Sequence, residues 1–170
     1  ANSDIFGAMD EFYVRGGGLA ARSSTIPSNG GNWFILDEVG APNYRVMYKP
    51  SLKGGVDAWT PKLYQYGPHT SSGPMNRAFY FLARGAATTG STSTPYLPSG
   101  MTGVGNDSAF RIWYRAMNYY FTTATDYAAA RQALITASRD LFGPDSTEER
   151  AVWNAMRGTN VGPAWTAAAS

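Results

Sequence analysis

The segment 67–80 (GPHTSSGPMNRAFY) contains His69, the only histidine of the chain. The segment opens with turn residues, Ser72 is a helix-capping residue type, and Pro74 is tolerated only within a first helical turn. Apolar residues then recur at helical spacing: Met75, Phe79 and Leu82. We therefore expect His69 just before a helix N-terminus, where the positive field favours a neutral imidazole that donates a hydrogen bond. The alternative is a surface or capping histidine without a catalytic role.

Composition limits the classes of function. The chain has 170 residues, enough for one domain with a core, and carries 14 basic and 12 acidic residues, a net charge of +2, without a lysine or arginine run. This balance gives no electrostatic reason to expect nucleic acid or a membrane as partner. Cysteine is absent, which excludes disulfides and thiolate metal sites. The chain starts abruptly within a helical pattern, so we expect an upstream portion.

Apolar residues at helical spacing predict an amphipathic helix over residues 2–14, which ends at a run of glycines. Asp4 and Glu11 lie on one face of this helix, because seven residues are close to two turns. Residues 19–66 are irregular, with short apolar pieces at 33–36 and 44–47. A loop region of this length inside a compact domain is usually functional.

Four further helices follow, over residues 72–84, from about 109 to 120, after Asp126, and after Ser146. Asp126 is the N-cap of the third, with Ala130, Leu134, Ala137 and Leu141 as its buried stripe. Ser146 and Glu149 form a capping box for the last. We expect a mainly α fold, a bundle of about five helices with a long irregular loop region after the first helix, as one domain over residues 1–161 and a flexible tail over 162–170.

Several motifs resemble, in order and spacing, the C-terminal helical domain of thermolysin-like zinc metalloendopeptidases (peptidase family M4), including the vibriolysin and pseudolysin branch. The motifs are 3–7 (SDIFG) with 11–13 (EFY), 69–73 (HTSSG) with 76–80 (NRAFY), 114–117 (YRAM) with 119–120 (YY), Arg131, and 140–143 (DLFG). Together they cover nearly the whole chain, from residue 2 to about 161. Several motifs at matching separations are far more specific than one histidine.

The resemblance implies a zinc-dependent peptidase whose metal is held outside this chain. The family binds zinc through two histidines of an HExxH helix, whose glutamate is the general base, and through a further glutamate that would directly precede Ala1. No HExxH occurs here. The implied partner is thus an N-terminal half that bears HExxH, and this chain alone is expected to be inactive.

Other site residues are also implied by the resemblance. His69 corresponds to the histidine that stabilises the oxyanion, and Arg45 to the arginine that holds a substrate carbonyl on the primed side, although an ordinary structural arginine is the alternative. Ile35 and Tyr44 correspond to the pocket for a large hydrophobic residue after the scissile bond. Asp4 corresponds to a carboxylate that orients a zinc-binding histidine; its alternative role is a charge near the positive end of a helix.

A calcium site is implied with a weakened ligand set. Glu11, Asn32, the carbonyl of Phe34 and Asp37 occupy the corresponding positions, and Asn32 stands where an aspartate is usual, so we expect one weakened calcium site, and the alternative is no site. The family also places an aspartate two or five residues before the histidine, where this chain has Gly67 and Tyr64. We expect another acid, such as Asp57, to orient His69, or the ring to be less well held.

These considerations favour the C-terminal half of a secreted zinc metalloendopeptidase that cleaves peptides or proteins. The alternative is a non-catalytic peptide- or protein-binding module derived from that domain. Serine hydrolysis by His69 with Ser71 or Ser72 is a third hypothesis, disfavoured because a serine two or three residues from its base rarely reaches the required geometry.

Overall fold

A computed structural model describes residues 1–40 and 44–167. The helices are α1 (Asn2–Arg15), α2 (Gly18–Ala21), α3 (Pro68–Ser71), α4 (Gly73–Arg84), α5 (Asn106–Tyr119), α6 (Tyr127–Phe142) and α7 (Thr147–Gly158). The strands are β1 (Phe34–Ile35), β2 (Arg45–Val46), β3 (Gly85–Ala86) and β4 (Met101–Thr102), and two 3-10 helices span Pro50–Lys53 and Leu63–Gln65. The predicted mainly α fold is confirmed, with the five expected helices at α1 and α4 to α7.

Helix α4 lies at the centre of the bundle and packs against α5 and α7, while α6 packs against both of these. Nearly all of its residues are buried, including Arg77, which is 2% exposed. Arg77 donates from Nε to the carbonyl of Tyr48 at 3.0 Å and from Nη2 to that of Ser93 at 2.7 Å. A buried arginine that meets carbonyls on two loops fixes the irregular region onto the helical core.

The predicted caps of the last two helices are present. The Asp126 carboxylate accepts a hydrogen bond from the Ala129 N–H at 2.8 Å, and the Ser146 hydroxyl accepts one from the Glu149 N–H at 3.2 Å. The Glu149 side chain departs from the capping box, because it accepts from the N–H of Asp145 and is fully buried. Leu141, predicted in the buried stripe of α6, is 44% exposed.

The irregular region folds back on α1 through a short antiparallel ribbon. Strands β1 and β2 pair with Phe34 opposite Val46 and Ile35 opposite Arg45. The two strands lie in the apolar pieces at 33–36 and 44–47, which explains why those pieces interrupt an otherwise polar stretch. The ribbon therefore brings Arg45 to the face of α1 that carries Asp4.

The end of the described chain is held against the bundle. Arg131 donates to the carbonyl of Pro163 at 3.0 Å, and its guanidinium lies 4.1 Å from the centre of the Trp153 ring. The Arg150 guanidinium lies 4.3 Å from the centre of the Trp165 ring, and the backbone N–H of Trp165 donates to the side-chain oxygen of Asn154. The domain boundary at residue 161 and the flexible tail over 162–170 stay predictions. None of the helices in the described part of the chain has the length and apolar character that a membrane crossing requires.

Candidate active site

His69 lies in the single turn α3, which directly precedes α4, close to the predicted position. Pro68 starts this turn, consistent with the preference of proline for a first helical position. Helix α4 begins at Gly73, where a glycine is required. A Cβ at this position would lie 2.3 Å from the carbonyl oxygen of Val56. Ser72 does not cap α4 as predicted; its hydroxyl donates to the carbonyl of His69 at 3.0 Å. These contacts place an exposed His69 at the mouth of a cavity.

No carboxylate holds the His69 ring within the described residues. Asp57, the acid considered for that role, accepts hydrogen bonds from the N–H and hydroxyl of Ser51, both at 2.8 Å, and pairs with Lys49 at 3.2 Å. Burial alone would raise the pKa of Asp57, but the bonds from Ser51 and the charge of Arg77 outweigh it and lower the pKa. Asp57 therefore braces the loop beside the site and does not orient the His69 ring.

Arg45 is bound edge-on by Asp4 of α1. Its Nε donates to Asp4 Oδ2 at 3.0 Å, Nη2 donates to Oδ1, and Asn76 of α4 donates to Oδ2 at 2.7 Å. Burial would raise the pKa of Asp4, but the hydrogen bonds from Arg45 and Asn76 and the charge of Arg45 lower it. Among described residues Arg45 Nη1 has no acceptor, so this edge of the guanidinium is available to another group.

The ribbon and the start of α4 bring His69 and Arg45 to the same cavity of about 440 Å³. Its side-chain lining includes Leu36, Arg45, Val46, Lys53, His69 and Asn76. Here Asn76 has a buried Oδ1 without a partner in the described chain. A cavity with one imidazole, one guanidinium and an apolar wall can polarise and hold a carbonyl group.

The other two predicted substrate-binding residues lie beside this cavity. Ile35 lines a neighbouring cavity of about 410 Å³, which shares Leu36 and Arg45 with the first. The Tyr44 ring packs edge-on against Phe34 at 5.6 Å and lies under the Lys53 ammonium at 4.2 Å. Neither residue lines the cavity that contains His69.

Sequence reasoning missed Leu36 and Lys53 as members of the site. Leu36 has a φ of 70°, a left-handed conformation that is rare for a residue with a branched side chain, and it is 49% exposed. Strained backbone of this kind concentrates at functional sites. No local pattern marks either residue, because both reach the cavity only through the fold of the 33–55 region.

The two serines near His69 are arranged for structure. The hydroxyl of Ser71 points to the carbonyl of Pro68 at 3.5 Å, and that of Ser72 donates to the backbone carbonyl of His69. The Tyr127 hydroxyl of α6 donates to the Ser71 carbonyl. Burial raises the pKa of Tyr127 to about 12, so this hydroxyl stays protonated. Neither serine hydroxyl bonds the imidazole, which argues against serine hydrolysis.

The four residues predicted for calcium lie close together but are bonded to one another. The backbone N–H of Asn32 donates to Glu11 at 3.3 Å and its side-chain N–H donates to Asp37 at 3.0 Å, while its amide oxygen accepts from Phe34 N–H at 2.8 Å. Arg15 also donates to Glu11 at 3.1 Å. Because N–H groups face both carboxylates, these residues do not fit a calcium ion as arranged.

The part of the chain that the structure describes offers no zinc site of its own. The described residues contain no group of three or more histidine, cysteine, aspartate or glutamate side chains arranged to hold a metal. Asp4, predicted to orient a zinc-binding histidine, is engaged by Arg45 and Asn76. A zinc site built with this domain would need its ligands from elsewhere.

Comparison with known proteins agrees with the motifs. Over residues 1–161 the chain matches the family described as thermolysin metallopeptidase, alpha-helical domain. It is 34% identical to the transglutaminase-activating metalloprotease of Streptomyces mobaraensis, covering 96% of this chain and 21% of that protein. Bacillolysin of Bacillus cereus is 31% identical, covering 95% of this chain and 26% of that protein.

Thermolysin of Alicyclobacillus acidocaldarius subsp. acidocaldarius is 29% identical, covering 95% of this chain and 27% of that protein. The chain thus spans between 21% and 27% of the length of these relatives. They do not assign it to the vibriolysin and pseudolysin branch, which stays a prediction. The match over residues 1–161 identifies the chain as a member of the thermolysin metallopeptidase family, namely its α-helical domain.

Proposed function

We propose that this chain is the C-terminal half of a secreted zinc-dependent metalloendopeptidase and supplies one wall of its peptide-binding cleft. The proposal is supported chiefly by one observation, that His69 and Arg45 line the same cavity although 24 positions separate them in the sequence. The family match adds a peptidase context. The N-terminal half with HExxH is the proposed partner, and peptides or proteins are the proposed substrates.

In this proposal His69 stabilises the negative charge that develops on the carbonyl oxygen when a peptide bond is attacked. An imidazole N–H at the mouth of the cavity is suited to donate a hydrogen bond to that oxygen. Arg45 holds a substrate carbonyl through Nη1 while Asp4 fixes its other edge. The two residues thus have separate tasks, stabilisation of the transition state and positioning of the substrate.

The metal chemistry belongs to the other half. Zinc, when bound there, would activate the attacking water and polarise the carbonyl. Asp4, Arg45 and Asn76 form a preorganised polar group, of which Arg45 and Asn76 line the cavity. In this proposal the group faces the metal-bearing half. Alone, this chain has the binding wall without the reactive centre, so we propose that it does not cleave peptides by itself.

The test is to extend the gene upstream until the encoded protein reaches the length of the relatives, and to assay it beside the 170-residue chain. The extended protein should contain HExxH and cleave peptides in a zinc-dependent manner, and the isolated chain should not. His69→Ala should lower kcat by about 10²–10³-fold. Lys62→Gln, an exposed change outside the cavity, should leave kcat unchanged.

Two results would overturn the proposal. An upstream sequence without HExxH would remove the catalytic half, and peptide binding to the isolated chain that Arg45→Ala abolishes would then favour the non-catalytic binding module. Cleavage by the isolated chain that resists a chelator but stops with a serine-directed reagent would instead support serine hydrolysis.

A further inference from the structure

The cavity that contains His69 and Arg45 has an uneven charge balance. Its lining includes the cationic side chains of Arg45 and Lys53, and no aspartate or glutamate of the described residues lines it. Asp4, which lies behind Arg45, neutralises the guanidinium through two hydrogen bonds. The charge of Lys53 is therefore the one that a ligand in the cavity would meet uncompensated.

Lys53 has no carboxylate partner within ion-pair distance in the described part of the chain. Its neighbour Lys49, one turn earlier, pairs with Asp57 at 3.2 Å and is thereby neutralised. The Lys53 ammonium instead lies 4.2 Å from the centre of the Tyr44 ring, which orients the side chain by a cation–π contact without removing its charge.

The backbone that carries Lys53 is well defined. Pro50 begins the 3-10 helix, and Gly54, with a φ of 75°, ends it in a left-handed conformation that glycine adopts readily. A Cβ on Gly55 would lie 2.9 Å from the Pro50 side chain, so the chain turns back closely on itself here. The turn thus fixes the backbone of Lys53, which lines the cavity together with Arg45.

We propose that Lys53 is a specificity-determining residue that makes this cavity favour a carboxylate on the peptide, one to three positions beyond the bond that is cleaved. The carboxylate belongs to an aspartate or glutamate side chain or to a free C-terminus. This inference rests on the proposed function, because it assigns the substrate class of the same cleft. A single exposed ammonium gives a modest preference, on the order of three- to tenfold.

The experiment uses matched peptides that differ only in the positions after the scissile bond, with glutamate or glutamine at each position and with a free or amidated C-terminus. Cleavage by the upstream-extended protein and equilibrium binding to the 170-residue chain are both measured. Wild type should favour the carboxylate-bearing peptide, and the preference should fall as salt is raised. The glutamate series and the C-terminus series distinguish the two sources of the carboxylate.

Lys53→Met replaces the ammonium with an uncharged, unbranched side chain and should remove the preference, and Lys53→Glu should reverse it. Lys62→Met, an exposed lysine outside the cavity, is the matched control and should leave it intact. A preference that both Lys53 variants retain overturns the inference and leaves the peptidase proposal standing. Absence of cleavage together with Lys53-dependent binding overturns the peptidase proposal instead, and absence of both cleavage and binding overturns the two together.

Discussion

Asp4 of the first helix is hydrogen-bonded to Arg45 of the irregular region, across 41 positions of sequence. Asn76 adds a third element, because its side-chain N–H donates to the same carboxylate from α4. The three residues therefore fix α1, β2 and α4 relative to one another beside the cavity. Asp4 holds Arg45 in position, so that its free edge meets the same space as His69.

Asp4→Asn should destabilise the chain, because it leaves the half-buried Arg45 without its counter-charge. We expect the free energy of unfolding to fall by about 1–3 kcal/mol. Urea titration followed by tryptophan fluorescence measures it. Asp10→Asn, an exposed aspartate of the same helix, should change it by less than about 0.5 kcal/mol. Equal effects of the two variants would contradict the role of Asp4.

Acid should destabilise the fold through the same carboxylates. The pKa values of Asp4, Asp57 and Glu149 are lowered, since hydrogen bonds and nearby charges outweigh the burial that would raise them. The folded state therefore binds these protons less readily than the unfolded state. The resulting stabilisation is present above the ordinary pKa values, 3.8 for aspartate and 4.5 for glutamate, and is lost as pH falls below them.

Thermal unfolding from pH 7 to pH 3 tests this dependence. The midpoint should change little between pH 7 and about pH 5 and then fall, and Asp4→Asn should make that fall shallower because one of the contributing groups no longer titrates. A wild-type midpoint that rises toward pH 3 would refute the sign of the effect.

Gly73→Ala should be strongly destabilising. The new Cβ would lie 2.3 Å from the Val56 carbonyl oxygen, and a backbone atom cannot move aside as a flexible side chain can. We expect a loss of about 1–3 kcal/mol and displacement of α3 with His69. Gly7→Ala is the matched control: no atom lies within 4 Å of its Cβ, and alanine in a helix should stabilise by about 0.5–1 kcal/mol. Opposite signs for the two glycines are the expected result.

Asn32 should determine whether this chain responds to calcium. With its N–H groups on Glu11 and Asp37, wild type should show little change in melting temperature between a chelator and millimolar calcium. Asn32→Asp replaces the side-chain donor to Asp37 with an oxygen beside two carboxylates and keeps the backbone N–H on Glu11, so the variant should melt lower in chelator and recover with calcium. Asn32→Ala should melt lower without recovery. A saturable calcium effect on wild type would contradict the conclusion that these residues, as arranged, do not fit the ion.

The helices could be predicted from sequence because their signals are local. Apolar residues at helical spacing and the caps Asp126 and Ser146 act within a few positions, and the structure has each of these helices near its expected bounds. The neighbourhood of His69 was predicted on the same grounds, since the turn residues before it and Pro74 after it restrict the backbone. Arg45 and Asp4 were found through resemblance to a family, and no spacing rule relates them.

Only the tertiary structure decided which side chains meet. It directs the Ser72 hydroxyl to the His69 carbonyl, Asp57 to Ser51 and Lys49, and Lys53 to the cavity, none of which has a pattern in the chain. These partners lie on segments that approach one another through the β1–β2 ribbon and the tight contact at Gly73. Helical periodicity reports on neighbours within one or two turns, whereas a charge in a cleft depends on how distant segments pack.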